Sequence, residues 1–422
     1  MSSFLTYENI YFQIPYEDRA WANNNGLKYD GNAKFWYLPP GNDPLPFKNF
    51  WSFLDNKNTY HDREELKARG CRFNKKLKTW YVPNNANLDF NDFIKWWPDS
   101  LKQFVLNEKF VIEKYVHQSG QSELYQAFGV DDGRPYAVKY FIDNGMTEAQ
   151  QKTGFNREME ALTKLEDHKN ILKVTDWGQD KNSRSFIISP WMPCGDLGEY
   201  IGATDEEQIE IILDALGLTL DLDENDRREF FEELANEPKD IWLDDEEIIF
   251  GVLDGIIHAH SHSILHRDIK PGNILIEVEE LEGELNLRPV LCDFGTAKNF
   301  KGREIRRSEH TVVAMRTAPY RPEFIEFTEL GDKEQKFQNT WDLFSWAILT
   351  IELMANQHVY IVDEALDILE SKLNPNLGKE ITDMLKLALS PDPEKRPADL
   401  AAFKEELLRH TKTRKKRLAW KE

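Results

Sequence analysis

Cysteines and long hydrophobic runs are both scarce in this sequence. Cys71, Cys194 and Cys292 are the three cysteines among 422 residues, too few and too scattered for a disulfide framework or a zinc site. The longest hydrophobic candidate, residues 343–355, is shorter than the about 18 apolar residues that read as a membrane span. The N-terminus has no basic segment followed by an apolar one, as a secretory signal would. These absences predict a cytoplasmic protein with no membrane segment.

The composition of the chain changes near residue 105. Residues 1–104 contain 12 Asp and Glu, 14 Lys and Arg, and 23 of the chain's 51 aromatic residues. Because the net charge of the whole chain is −21, the remaining 318 residues carry −23. A chain of this length also exceeds the about 250–300 residues at which a single core stops growing. We therefore predict an aromatic-rich module at 1–104, a larger domain at 105–410 and a basic tail at 411–422.

An internal repeat lies in the aromatic-rich module. Residues 26–39, GLKYDGNAKFWYLP, return 44 residues later as residues 70–83, GCRFNKKLKTWYVP. Each copy predicts a helix that ends at a glycine, Gly26 or Gly70, followed by a strand, a polar turn and a second strand. The module is therefore expected to be a small α+β fold.

The repeat resembles the short Gly/Trp repeats that accompany bacterial and phage primase and helicase modules. Aromatic rings beside Lys75, Lys76 and Lys78 can stack on and neutralise a nucleic-acid strand. A local charge near zero is poor for phosphate binding and favours a protein ligand instead. Both ligand classes stay open, and core packing is the preferred interpretation of Trp36 and Trp80 themselves.

Two motifs in the second part of the chain carry chemistry. The segment HRDIKPGN occupies residues 266–273, and DFG follows at residues 293–295. Together they resemble the catalytic loop and the metal-binding motif of eukaryotic-type Ser/Thr protein kinases. The resemblance spans about residues 105–410. It implies a two-lobed α+β fold, with a small mainly β N-lobe and a mainly α C-lobe, preceded by the repeat module.

The resemblance implies a role for each residue of these motifs. Asp268 would accept the proton of a Ser or Thr hydroxyl, and Lys270 would contact the transferring phosphate. Asn273 and Asp293 would bind Mg²⁺. ATP and Mg²⁺ are therefore the expected cofactors, and Ser/Thr side chains of proteins are the expected substrates.

The residues that would bind the nucleotide follow from the same resemblance. Lys139 would hold the α and β phosphates and pair with Glu158, which is chosen over Glu160 because the helix register then points Leu162 inward. Pro190 at the hinge has no backbone N–H, so the adenine contact passes to a later residue. The expected adenine contacts are Leu124, Ala137, Met192 and Leu275.

The glycines of the family's phosphate loop are missing. His117, Ser119 and Ser122 stand at the three glycine positions of Gly-x-Gly-x-x-Gly. Because a Cβ atom hinders close approach of the backbone to phosphate, Ser119 and Ser122 are expected to bind ATP weakly. A pseudokinase scaffold is the resulting alternative. A sugar or antibiotic phosphotransferase would share the His-x-Asp and distal Asp pattern, as a fold-level analogue only.

The C-lobe is interrupted by an insertion at residues 204–247, which holds 18 acidic and three basic residues. Its apolar spacing predicts short amphipathic helices, and its charge can steer basic substrates or simply face solvent. In the activation segment, Ser308 and Thr311 are the candidate phosphorylation sites, with Arg267 as the expected partner of the phosphate.

Two structural pairings are also implied by the kinase resemblance. Asp342 is expected to be buried and to brace the catalytic loop. Glu323 is expected to form a buried pair with Arg396.

Overall fold

The computed structural model describes residues 8–55, 59, 61–83, 88–119, 122–142, 148–165, 168–215, 245–281, 284–296, 298–299, 319–320, 322 and 340–419. The chain divides into two compact units. The N-terminal unit comprises Met1–Gln151 and Thr175–Trp191, and the C-terminal unit comprises Lys152–Val174 and Met192–Glu422.

The two repeats of the N-terminal unit have the same local structure. The first contains β1 (Ile10–Phe12), α1 (Arg19–Asn24), β2 (Lys28–Asp30) and β3 (Phe35–Leu38), and the second contains α2 (Arg63–Ala68), β4 (Arg72–Asn74) and β5 (Thr79–Tyr81). Strands β1, β3 and β2 form an antiparallel sheet in that order, and β4 pairs with β5. Gly26 and Gly70 both have φ of +89°, which side chains other than glycine's rarely adopt. The predicted order of helix, glycine and hairpin is confirmed in both copies.

Equivalent side chains close the two hairpin turns. The Asp30 carboxylate accepts the backbone N–H groups of the second and third residues after it, at 2.9 and 3.0 Å, and Asn74 accepts the equivalent pair at the same two distances. Lys34 and Lys78 then take left-handed backbone conformations, with φ of +62° and +53°. Such side-chain-to-backbone bonds are why Asp and Asn are common in turns.

A six-stranded antiparallel sheet follows the repeats, in the order β10-β11-β9-β8-β7-β6. Short helical segments precede it: 3₁₀ turns at Leu45–Phe50 and Phe90–Trp96, and α3 (Asp99–Lys102). The strands are β6 (Val105–Leu106), β7 (Phe110–Gln118), β8 (Ser122–Gly129), β9 (Pro135–Phe141), β10 (Asp176–Gln179) and β11 (Ser185–Pro190).

The repeats and this sheet share one hydrophobic core, which runs from Ile10 to Ile188. The ring of Trp51 lies 5.3 Å from the rings of both Trp97 and Phe104, measured between centroids. Trp80 is 8% exposed and belongs to this core, which confirms the packing interpretation. Trp36 packs against the core but stays partly exposed.

The C-terminal unit is mainly helical. Its helices are α4 (Glu148–Lys164), α5 (Asp205–Ala215), α6 (Asp245–Ser261), α7 (Trp341–Ala355), α8 (Val362–Ile368), α9 (Asn374–Leu377), α10 (Lys379–Ala388) and α11 (Leu400–Ala419), with 3₁₀ turns at Leu197–Glu199, Pro271–Asn273 and Phe294–Thr296 and a π turn at Leu369–Leu373. Two pairs of antiparallel strands accompany them: β12 (Ile264–Leu265) with β15 (Lys298–Asn299), and β13 (Ile274–Leu281) with β14 (Glu284–Leu291). The predicted α+β class is confirmed.

Helix α7 forms the centre of this unit, and all of its residues except Met354 are buried. A helix that is apolar on every side is stable only inside a core. The indole N–H of Trp346 donates to the carbonyl of Ile249 on α6 at 2.9 Å, so the two helices are fixed by a hydrogen bond as well as by packing. Among the described helices, none combines the length and hydrophobicity that crossing a membrane requires.

Several expectations lie outside the described residues. They are Ser308, Thr311 and Glu323, and residues 216–244 of the acidic insertion. At the start of the insertion, α5 confirms one of the predicted helices.

Candidate active site

The catalytic-loop motif lies between β12 and β13. The Lys270 ammonium group donates to Oδ2 of Asp268 at 2.8 Å. The Asn273 amide nitrogen donates to the same oxygen at 2.9 Å and to the Asp268 carbonyl at 2.7 Å. The structure therefore brings three of the predicted residues together around one carboxylate, which is held in a single orientation by two donors.

Asp342 holds the backbone of this loop in place. Its carboxylate accepts the backbone N–H groups of His266 and Arg267 at 2.8 and 2.7 Å, and His260 Nε2 lies 2.9 Å away. Burial alone raises the pKa of Asp342, but the hydrogen bond and charge of His260, together with the neighbouring donors, outweigh it and hold the pKa below its ordinary value. The expected bracing role is thus supported by three contacts, of which the sequence analysis missed His260.

The ring of His266 joins the two motifs. Its Nε2 lies 2.9 Å from the Cys292 carbonyl oxygen, and its ring centroid lies 4.5 Å from that of Phe294. The Cys292 N–H donates to the Asn273 carbonyl at 3.0 Å. The next residue, Asp293, has a left-handed backbone with φ of +61°, a conformation that Asp tolerates better than most residues.

Helix α4 presents Glu158 to the second motif. Glu158 is 3% exposed, whereas Glu160 is exposed to solvent. A Cβ atom placed on Gly295 would lie 3.3 Å from Asp293 Oδ1 and 3.5 Å from Glu158 Oε2. Both carboxylates therefore lie beside Gly295, where Arg157 also donates to the glycine carbonyl at 3.4 Å.

The oxygen atoms of Asn273 and Asp293 fit a Mg²⁺ ion. Mg²⁺ prefers hard oxygen ligands and is usually held by one or two carboxylates together with substrate phosphates. The Asn273 amide nitrogen points to Asp268, so the amide oxygen is the atom that this side chain could offer to a metal ion. Within the described ranges no cluster of three or more His, Cys, Asp or Glu side chains forms a self-sufficient metal site. A site with two protein ligands needs the nucleotide to complete it.

In the N-terminal unit, the predicted nucleotide residues share one face of the sheet. Leu124 on β8 lies opposite Lys139 on β9, and Ile187 on β11 lies opposite Lys139 on its other side. Residues directly opposite each other in antiparallel strands project to the same face. Ala137 and Lys139 are only partly buried, whereas the intervening Val138 is fully buried. Along β8 and β9 this face is therefore accessible, whereas Ile187 on β11 is buried, and the opposite face of the sheet belongs to the core.

The two serines of the degenerate phosphate loop contact each other. Their hydroxyl oxygens are 2.7 Å apart, and the Ser119 N–H donates to the Ser122 carbonyl at 2.8 Å. The two serines thus close the β7–β8 hairpin. The absence of the glycines gave no reason to expect this contact.

Met192 and Leu275 lie in the C-terminal unit, and both are partly buried. The Met192 carbonyl accepts the N–H of Gly195 at 3.3 Å. Leu275 forms an isolated antiparallel bridge with Asp196. The segment after Met192 and the start of β13 are therefore neighbours in this unit.

Two family models match the chain. The first is the protein kinase domain, over residues 111–412. The second is a domain of unknown function (DUF5710), over residues 9–52, which include the first repeat.

Curated relatives are protein kinases at low identity. Calcium-dependent protein kinase 4 of Plasmodium falciparum is 26% identical over 57% of this chain and 37% of its own length. The LRR receptor-like serine/threonine-protein kinase RGI1 of Arabidopsis thaliana is 23% identical over 77% of this chain and 28% of its own length. Serine/threonine-protein kinase pkn3 of Myxococcus xanthus is 22% identical over 73% of this chain and 51% of its own length. The chain thus spans between about a quarter and a half of each of these relatives.

The match to the protein kinase domain covers more than half of the chain and includes both motifs, the bracing Asp342 and the sheet that carries Lys139. The chain therefore belongs to the protein kinase domain family.

Proposed function

We propose that the protein is a Ser/Thr protein kinase that transfers the γ-phosphate of ATP, with Mg²⁺, to hydroxyl groups of proteins. The observation that carries the proposal is the orientation of Asp268, whose Oδ2 accepts hydrogen bonds from Lys270 and Asn273. A carboxylate held in this way can accept a hydroxyl proton, while the adjacent ammonium group balances charge on the transferring phosphate.

The remaining roles follow the protein kinase template. Asn273 and Asp293 would hold Mg²⁺, which supplies positive charge to the phosphates when it is bound. Glu158, buried beside the metal motif, would help to order the nucleotide-binding residues. The nucleotide itself would contact Leu124, Ala137, Lys139, Met192 and Leu275, with Ser119 and Ser122 over its phosphates.

Replacement of Asp268 and Asp293 tests this function. Asp268→Asn should lower the rate of phosphate transfer at least about a hundredfold, because the carboxylate that accepts the hydroxyl proton is lost. ATP should still bind, because the nucleotide-binding residues are unchanged. Asp293→Ala should abolish the binding of ATP that depends on Mg²⁺. The matched control is Asp383→Asn, a change at an exposed position on α10. Phosphoamino-acid analysis of the autophosphorylated chain should yield phosphoserine or phosphothreonine. Phosphotyrosine alone would refute the Ser/Thr assignment.

A pseudokinase scaffold is the second candidate, and the replaced glycines favour it. The Ser119 and Ser122 hydroxyls contact each other, and their Cβ atoms hinder close phosphate contact. The double change to glycine should lower the Michaelis constant for ATP if the protein is an enzyme with a weakened loop. If the wild-type protein transfers no phosphate to itself or to basic and acidic substrates, and Asp268→Asn matches it in cells, the scaffold function is correct.

We further propose that residues 1–104 act as a regulatory module for the kinase domain at 105–410, with a protein or nucleic acid as the ligand of the repeats. The activation segment would provide a second level of control through phosphorylation. Removal of the ligand-binding surface of the repeats should change the response of the kinase in cells without changing its intrinsic rate.

A further inference from the structure

The first repeat contains a cavity of about 350 Å³. Its lining includes Ile14 after β1, Arg19 at the start of α1, Tyr29 on β2, and Lys34 and Trp36 at the β2–β3 turn and on β3. Small-molecule sites typically measure about 300–1,000 Å³, so this cavity has room for one small ligand and not for a folded segment.

Two cations are available to a ligand in this cavity. Arg19 and Lys34 are exposed, and the salt bridges found among the described residues involve neither, although the Arg19 guanidinium lies over the exposed ring of Tyr16 at 4.3 Å. The nearest acidic group on the turn, Asp30, is occupied by two backbone N–H groups and by the hydroxyl of Tyr11. The pKa of Asp30 is correspondingly lowered, chiefly by its hydrogen bond from a backbone N–H. The cations therefore face the cavity without a competing carboxylate from this turn.

The same cavity offers an aromatic platform. Tyr29 is 51% exposed, and its ring lies 5.6 Å from the ring of Trp36. The Trp36 indole N–H is buried and has no hydrogen-bond partner within the described part of the chain. Trp36 therefore lines the cavity with other atoms of its side chain, and its indole nitrogen is closed off from a ligand there.

We propose that the first repeat binds a nucleotide unit. The planar base would stack on Tyr29, as bases stack on aromatic side chains in single-strand sites. The phosphate would contact Arg19 and Lys34, which line the cavity. This inference deepens the proposed ligand-binding role of the repeats and is independent of phosphate transfer by the kinase domain.

The negative charge of the chain confines binding of an anionic ligand to a small part of the surface. The net charge of −21 repels a polyanion from most of the surface, so binding has to rest on the few cations that line the cavity. Two sources can supply the same chemistry: a free mononucleotide or one unit of a single strand. They differ in their salt dependence, because a strand releases counterions from its backbone when its phosphates are neutralised.

Titration of the full-length protein with UMP and with a short single-stranded oligothymidylate tests the proposal. Pyrimidine probes are used because a site for ATP should bind them poorly. The Lys139→Met variant shows whether any remaining binding occurs at the ATP site. Lys34→Ala and Arg19→Ala should each weaken binding about five- to tenfold, since each removes one cation that lines the cavity. Lys78→Ala is the matched control, because Lys78 has the same left-handed turn position in the second repeat and does not line this cavity.

The outcomes distinguish a free nucleotide from a single strand and include results that would refute the proposal. If the oligothymidylate binds more tightly than UMP and Lys34→Ala lowers its salt slope by about 0.7, the ligand is a single strand. Equal binding of UMP and of the strand indicates a free nucleotide. If neither probe binds, if Lys34→Ala and Lys78→Ala behave alike, or if Lys139→Met removes all binding, the proposal is wrong. Lys34 and Arg19 are both exposed, so neither variant is expected to unfold the repeat.

Discussion

Asp342 is the residue whose replacement should most directly loosen the catalytic loop. Its carboxylate is fully buried and accepts two consecutive backbone N–H groups, those of His266 and Arg267. Those residues immediately precede Asp268, so the brace fixes the backbone from which the catalytic side chain projects. Asp342→Asn keeps the size of the side chain but replaces one acceptor oxygen by a donor.

The magnitude follows from the contacts. In Asp342→Asn, one buried N–H faces a new donor, which costs about 1–3 kcal/mol, and the contact with His260 loses its charge. Asp342→Ala removes both acceptors and should destabilise the loop by about 3–5 kcal/mol, as when one partner of a buried charged pair is removed. A displacement of Asp268 by about 1 Å is enough to lower the rate about a hundredfold.

Amide hydrogen exchange read by mass spectrometry is the appropriate assay, because it reports on His266 and Arg267 directly. A loss of about 3 kcal/mol in local stability corresponds to about a hundredfold faster exchange. The exposed Asp383→Asn change should leave both exchange and rate unaltered. If Asp342→Asn also leaves the exchange of these amides and the rate of phosphate transfer unchanged, the bracing argument fails.

The same carboxylate has a defined pH dependence. The folded-state pKa of Asp342 is lowered, so its contribution to stability is complete above the unfolded value, about 3.9. The contribution is lost as the pH falls through the folded value. We therefore expect the difference in stability between wild type and Asp342→Asn to be constant near neutral pH and to shrink only in acid.

Three further predictions concern other parts of the molecule. Lys48 is 12% exposed and bonded at 2.7 Å to Glu113 of β7, so Lys48→Ala should lower the free energy of unfolding of the N-terminal unit by about 1–3 kcal/mol in denaturation curves, whereas Lys67→Ala on exposed α2 should not. Burial lowers the pKa of His258, so stability should fall as the pH drops through the unfolded-state value, about 6.5, because the unfolded chain takes up the proton first, and His258→Phe should flatten this profile in denaturation curves. Glu158→Gln should lower the rate of phosphate transfer at least about tenfold and Glu160→Gln should leave it unchanged, because only the former carboxylate is buried beside the metal motif.

The catalytic loop could be predicted because its residues are close in the sequence. Asp268, Lys270 and Asn273 lie within six positions, so a single turn brings them together whatever surrounds it. The choice of Glu158 rested on the kinase resemblance, which puts Leu162 at an inward position of the helix; Glu158 lies one turn away on the same side of α4, and both are buried. Local spacing therefore carried most of the information about the C-terminal part of the site.

Contacts between distant residues were not predictable in the same way. His260 reaches Asp342 across 82 positions of sequence, and His266 reaches the Cys292 carbonyl across 26. No local pattern distinguishes a histidine that makes such a contact from one on a solvated helix face. The Ser119–Ser122 contact is short in sequence, yet it depends on hydroxyl orientation, which composition does not specify.

The aromatic repeats show why composition can locate a boundary without describing the packing across it. The break near residue 105 records which residue types are present, but not the surface on which each side chain is buried. Within the N-terminal unit, the Ile112 N–H on β7 donates to the Phe104 carbonyl at 2.9 Å, and Lys48 lies over the ring of Phe128 on β8 at 4.7 Å. Because Phe104 is fully buried in the core that also holds Trp51, removal of residues 1–104 would expose the apolar surface of β7. The repeats are therefore expected to stabilise the sheet that carries Lys139, and a ligand that orders the first repeat would act on that sheet through the shared core.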